Sequence, residues 1–147
     1  MSLAQFYSLA KNKLFPICRS ITGDGVRKTL KEIKKKIPGL KIIEVSSGTK
    51  VFDWKIPPEW NIKDAYVKDI SGKKIINFKL NNLHLVGYSI PVNRIISKKK
   101  LLEHLHSLPK QPNAIPYITS YYKKYWGFSV SHNQKLFIKK NYKNSEK

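Results

Sequence analysis

An α+β fold is predicted by three features of this 147-residue sequence. Apolar residues recur at helical spacing near the N-terminus and again around position 100. Between them, from about 45 to 95, the period shortens to that of strands, and turn residues break the run into short pieces. Prolines at 16, 38, 57, 58, 91 and 109 then close successive elements. The order is helices, a strand-rich insert, then helix and strand again, with the two ends packing together around the insert.

Each element has a local reason. Ser2 can cap a helix over 2–13 whose Leu3, Phe6, Tyr7 and Ala10 share one face, and Pro16 stops it. A polar elbow from Arg19 to Gly25 follows. Asp24 or Thr22 can cap a second helix carrying Val26, Leu30, Ile33 and Ile37 as its apolar stripe, ended by Pro38-Gly39. Leu40–Val45 and Val51–Ile56 read as strands around a turn at 46–49. Ala65–Lys68, Lys74–Phe78 and His84–Tyr88 read as further strands, with Ser71-Gly72 as a hairpin turn. Ser97 can cap a helix with Leu101, Leu102, Leu105 and Leu108 on one side, although its opening lysines, 98–100, oppose the helix dipole. After an extended proline-rich connection, Tyr121–Trp126 reads as a short aromatic helix and Phe128–His132 as a strand. The stretch from 135 to 147 reads as a basic, fraying tail.

Composition narrows the function classes. Twenty-nine basic residues stand against nine acidic ones, a net charge of +20. Such a surplus attracts polyanions, so acidic polymers (nucleic acid or anionic glycans) are candidate partners. Arginine, the residue suited to bidentate phosphate recognition, occurs only at 19, 27 and 94, which favours solvated surface lysines. A missing acidic partner segment would leave the same imbalance. The single cysteine, Cys18, excludes an internal disulfide framework and points to a reducing compartment. No run approaches the roughly 20 apolar residues that span a bilayer, and the N-terminus lacks a secretory leader. The expectation is a cytoplasmic protein without membrane contact.

Carboxylates, histidines and cysteine do not assemble a complete catalytic site in sequence, and neither catalytic nor metal-ligating residues are assigned. His104 and His106, placed on a helix, would point to different faces and stay at the surface. His84, opening an apolar strand, reads as a structural histidine. Arg19 beside Cys18 could favour a thiolate, against which burial is the commoner fate of a lone cysteine. Gly23 and Gly25 before a helix resemble a phosphate-binding turn only faintly, lacking the Lys-Ser/Thr pair of a P-loop. His132 and Asn133, polar groups at a predicted strand end, occupy a place where ligands gather in α/β sheets. Together with Trp126, from an aromatic cluster at 117–128 able to stack on a ligand, they are the candidate substrate-binding residues. That cluster also has the spacing of a buried short helix.

Four ordered runs carry a wider resemblance: LFPICRSITGDGVRKTL from Leu14, SGTKVFDWKIPPEWNIKDAYV from Ser47, YSIPV from Tyr88, and LHSLPKQPNAIPYITSYYKKYWGFSVSHNQ from Leu105. Across Leu14 to Gln134 the chain resembles the N-terminal portion of a bacterial family of zinc aminopeptidase-like proteins associated with polysaccharide biosynthesis. The resemblance implies an incomplete α/β aminopeptidase-like domain of the phosphorylase/hydrolase type, interrupted by a small β-rich subdomain. On that basis 1–45 are the first helices and strand of the aminopeptidase-like domain. Residues 46–118 are the inserted subdomain with one helix, 119–134 return to the first domain, and 135–147 form the tail. Zinc is implied for full-length relatives. None of its ligands matches a residue here, because the family's metal-binding segment lies downstream of Gln134. The resemblance thus implies no cofactor in this chain, no activity alone, and a separately encoded C-terminal remainder as a possible partner. Ser129 stands where the family often has cysteine.

Overall fold

A computed structural model describes residues 2–142 and divides the chain into two units, Met1–Lys63 and Asp64–Lys147. In the first unit, Ser2 forms a full capping box. Its hydroxyl accepts the Gln5 N–H at 3.3 Å, and Gln5 Oε1 accepts the Ser2 N–H at 2.9 Å. Helix α1 (Leu3–Leu9) then widens into a π turn, Ala10–Leu14, closed by Phe15 N–H donating to the Ala10 carbonyl. The five-residue step of that turn aligns Leu9 with Leu14, and these two are buried. Leu3, Phe6 and Tyr7 share one face of α1, as their spacing implies, and that face is the outer one, exposed by 85%, 49% and 63%.

Helix α2 (Asp24–Lys34) starts at Gly23, with φ +90°. Neither Thr22 nor Asp24 caps it. The cap comes from Asn61, whose Oδ1 accepts the Asp24 N–H at 2.7 Å. Thr29 is buried in α2, Val26, Leu30 and Ile33 are half-buried, and Ile37 is exposed. The expected strand at Leu40–Val45 does not form. Ile43 and Val45 lie at the surface, so no buried face fixes a register there. The expected single strand Val51–Ile56 folds back on itself instead. Strands β1 (Lys50–Val51) and β2 (Trp54–Lys55) pair antiparallel around Phe52-Asp53, with Phe52 at φ +53° to make the tight loop.

The second unit opens with an antiparallel hairpin, β3 (Tyr66–Lys68) on β4 (Lys74–Asn77), pairing Val67 with Ile76. Its turn lies at the expected Ser71-Gly72. Asp69 Oδ1 accepts the Ser71 hydroxyl at 2.6 Å and the Ser71 and Lys73 N–H groups, while Gly72 takes φ +84°. The expected strand at His84–Tyr88 is reduced to a 3₁₀ turn (Asn82–His84) and isolated bridges from Leu85 to Phe128 and from Gly87 to Thr119. Ser97 caps α3 (Lys98–Glu103), as its sequence position implies, accepting Lys100 N–H at 3.2 Å. The helix ends early because Leu105–His106 forms β5, parallel to β6 (Phe128–Ser129), so Leu105 and Leu108 lie beyond it.

No helix forms over Tyr121–Trp126 either. A single turn, with Lys123 N–H on the Ser120 carbonyl at 2.9 Å, gives way to a non-helical run in which the carbonyls of Tyr125, Trp126 and Gly127 accept hydrogen bonds from Ile90 N–H, His104 Nδ1 and Val86 N–H. The expected basic tail is corrected most strongly. Ser131 caps a ten-residue helix, α4 (His132–Asn141), whose Ile138 is buried with Ile76, Leu101, Leu105, Phe128 and Val130 in the unit's core. The end of the predicted tail, 143–147, lies outside the described residues. No described helix is long and apolar enough to cross a membrane.

Candidate functional site

The parallel β5–β6 pairing lays residues 104–107 along residues 125–132. Phe128 N–H donates to the His104 carbonyl at 2.9 Å, and Val130 N–H to the His106 carbonyl at 3.0 Å. Three side-chain contacts follow from that register. The His104 ring stacks on Trp126 with centroids 3.8 Å apart, and its Nδ1 donates to the Trp126 carbonyl at 2.7 Å. His106 Nε2 lies 2.9 Å from the Tyr125 hydroxyl. Ser107 Oγ lies 3.0 Å from His132 Nδ1.

Of the three candidate residues, His132 is the first residue of α4, not the end of a strand. Asn133 donates to Asn113 Oδ1 at 2.8 Å, and its N–H reaches the Pro112 carbonyl at 3.1 Å. Trp126 is held by His104. All three are therefore tied to one stretch, 104–113. His104 and His106, expected at the surface on separate helix faces, are instead half-buried against Trp126 and Tyr125, because α3 stops at Glu103 and a strand follows. On a strand, residues two apart share a face.

Electrostatics favours the neutral imidazole at His106. Burial lowers its pKa below the ordinary 6.5, assisted by the Lys135 ammonium and by His104. Burial also raises the Tyr125 phenol. The seam is thus aromatic, hydrogen-bonded and uncharged where His106 meets Tyr125. His84 sits nearby in sequence register, buried, with Nδ1 2.8 Å from the Ser129 carbonyl, the structural role expected of it.

Other candidates resolve into structure. Burial raises the Cys18 thiol, outweighing Arg19. At the start of α2 a Cβ on Gly23 would lie 2.5 Å from the Trp60 carbonyl oxygen, and Arg27 binds both carboxylate oxygens of Glu59. The glycine elbow is therefore a capping corner closed by 58–61. Several of the aromatic rings pack on one another, Tyr88 edge-on to Tyr121 at 5.4 Å and Trp126 edge-on to Phe128 at 6.5 Å. Among the described residues, no three His, Cys, Asp or Glu side chains stand together as a metal site.

Residues 59–144 match a family model described as a domain of unknown function, DUF2172. The chain belongs to that family. It is also 56% identical over 130 residues to a Clostridium acetobutylicum protein described as a candidate polysaccharide biosynthesis protein with an aminopeptidase-like domain; the match covers 88% of this chain and 30% of the relative. A crystal structure of a candidate peptidase from Clostridium acetobutylicum superposes with a TM-score of 0.84 at 56% identity, over 89% of this chain and 31% of that one. The DUF2172 chain thus combines helix and strand in a fold shared with a candidate peptidase, and spans about a third of the length of these relatives.

Proposed function

We propose that this chain is the N-terminal portion of an aminopeptidase-like hydrolase, supplying scaffold and carrying no metal ligands of its own. The observation that carries the reading is that no three His, Cys, Asp or Glu side chains stand together among the described residues, each histidine being anchored on a different residue: His84 on Ser129, His104 on Trp126, His106 on Tyr125 and His132 on Ser107. A hydrolytic zinc site needs three or more such donors converging on the ion. Among the described residues no such set of donors stands together, so the residues present do not fit zinc. Zinc, if used by the longer relatives, is held by residues outside the matched third. Residues 1–45 then belong to the aminopeptidase-like domain, and a β-rich subdomain is inserted after them, over 46–118. His132, Asn133 and Trp126 fall in the returning segment, 119–134, and would contact substrate from there.

The test is metal content and hydrolysis of an aminoacyl p-nitroanilide by the purified chain in added zinc. Neither stoichiometric zinc nor turnover is expected, and stoichiometric zinc in the isolated chain would sink the reading. The net charge of +20 favours a second reading, a module that binds acidic polymers. That reading requires heparin affinity that falls steeply as salt rises; salt-insensitive or absent binding removes it.

A further inference from the structure

The two units are unequally finished. The second closes a six-residue core, and its span, Asp64–Lys147, nearly coincides with the DUF2172 match at 59–144. Among the described residues of the first unit, Leu9, Leu14 and Pro57 are buried apolar side chains, while Leu3, Phe6, Tyr7 and Phe15 stand exposed. Together with Ala4 and Ala10 these four line one shallow groove on α1 and its π turn. The capping box at Ser2 fixes this helix without help from any partner, so the face is presented ready-formed. A contiguous apolar face with three aromatic rings is the kind of surface that interfaces bury.

We infer that this face of α1 is the seam against which the remaining two-thirds of the aminopeptidase-like polypeptide packs. The inference rests on the scaffold reading above. Two observations select that occupant. The matched relative and the solved structure each carry about 70% of their length beyond the shared region. The helix and its π turn contain no acidic residue, and Lys11 and Lys13 stand exposed on the π turn that also bears Ala10 of the groove. The partner surface is therefore apolar at its centre and carboxylate-bearing at its rim, which also accounts for part of the charge surplus.

Co-expression of this full chain with the unmatched remainder of the Clostridium acetobutylicum relative tests the seam. A soluble one-to-one complex is expected by sedimentation. Phe6→Asp and Tyr7→Asp should weaken it at least about tenfold, whereas Tyr122→Asp, on an exposed ring of the other unit, should leave it intact. Both α1 residues are exposed, so circular dichroism of the chain alone should not change. A complex indifferent to the α1 substitutions, or no complex and no gain in solubility of the remainder, would overturn the inference. A homodimer of the chain alone that Phe6→Asp dissolves would also overturn it, by assigning the face to a second copy. None of these outcomes depends on zinc in the isolated chain, so the seam and the scaffold reading fail separately.

Discussion

Asn61 Oδ1 accepts the Asp24 N–H at 2.7 Å, so helix α2 is capped by a side chain 37 residues further along the chain. The same corner holds Thr22 Oγ1 on the Pro58 carbonyl at 3.2 Å and Arg27 across Glu59. These contacts fasten the Pro57-Pro58 segment over the start of α2. The Arg27 guanidinium holds the Glu59 carboxyl below its ordinary range, mainly through their hydrogen bonds.

Asn61→Ala should therefore loosen α2 although it lies far from that helix in sequence. The expected cost is about 1 kcal/mol, the usual worth of an N-cap. Hydrogen exchange of the α2 amides reports it, and unchanged protection would show that water replaces the cap without loss.

Gly25→Ala is expected to be worse. A Cβ there would stand 2.1 Å from the Cys18 carbonyl oxygen and 2.8 Å from the Arg19 Cα, both backbone atoms that cannot rotate away. Overpacking of this kind costs about 1–3 kcal/mol. Gly39→Ala, with nothing within 4 Å of its Cβ position, is the control, and its effect should stay within about 0.5 kcal/mol. Equal chemical-denaturation midpoints for the two variants would refute the steric argument.

What the sequence made legible was what a few neighbouring residues decide. Ser2 and Ser97 cap their helices three residues ahead, and Asp69 to Gly72 build their own turn. What stayed hidden depends on partners remote in sequence. Asn61 as a cap needs the 58–61 corner, and Leu105–His106 becomes a strand only because Phe128–Ser129 lies beside it. The aromatic run at 121–126 leads into residues 125–127, whose carbonyls are bonded by Ile90, His104 and Val86, partners no local pattern announces. At the candidate site, position in sequence singled out His132, Asn133 and Trp126, but their anchoring stretch at 104–113 was visible only once the parallel pairing was known.

Ser129→Ala should stabilise the second unit. The Ser129 side chain is fully buried, and its hydroxyl has no hydrogen-bond partner among the described residues. A buried unsatisfied polar group costs about 1–3 kcal/mol. Removing the hydroxyl keeps the backbone carbonyl that His84 uses, so Tm should rise, by about 2–4 °C for each kcal/mol recovered. A fall in Tm would mean that the hydroxyl is satisfied after all, by bound water.

His106 should make stability depend on pH. Its folded pKa lies below the ordinary 6.5 through burial first, then Lys135 and His104. The folded state therefore resists protonation more than the unfolded chain does, and the unfolded chain binds more protons in the window just below 6.5. By linkage, this contribution is fully present above pH 6.5 and is lost as pH falls through the folded value. The groups facing the ring are the Tyr125 hydroxyl, Lys135 and His104, none of them a carboxylate that would reverse the sign. His106→Gln retains a polar partner for Tyr125 and removes the titration. The wild-type protein should lose more Tm than this variant between pH 7.5 and about 5, before the carboxylates titrate. Their difference isolates His106 from the other three histidines. Parallel Tm curves for the two proteins would show that His106 titrates alike in the folded and unfolded states, and that its burial against Tyr125 carries no cost on protonation.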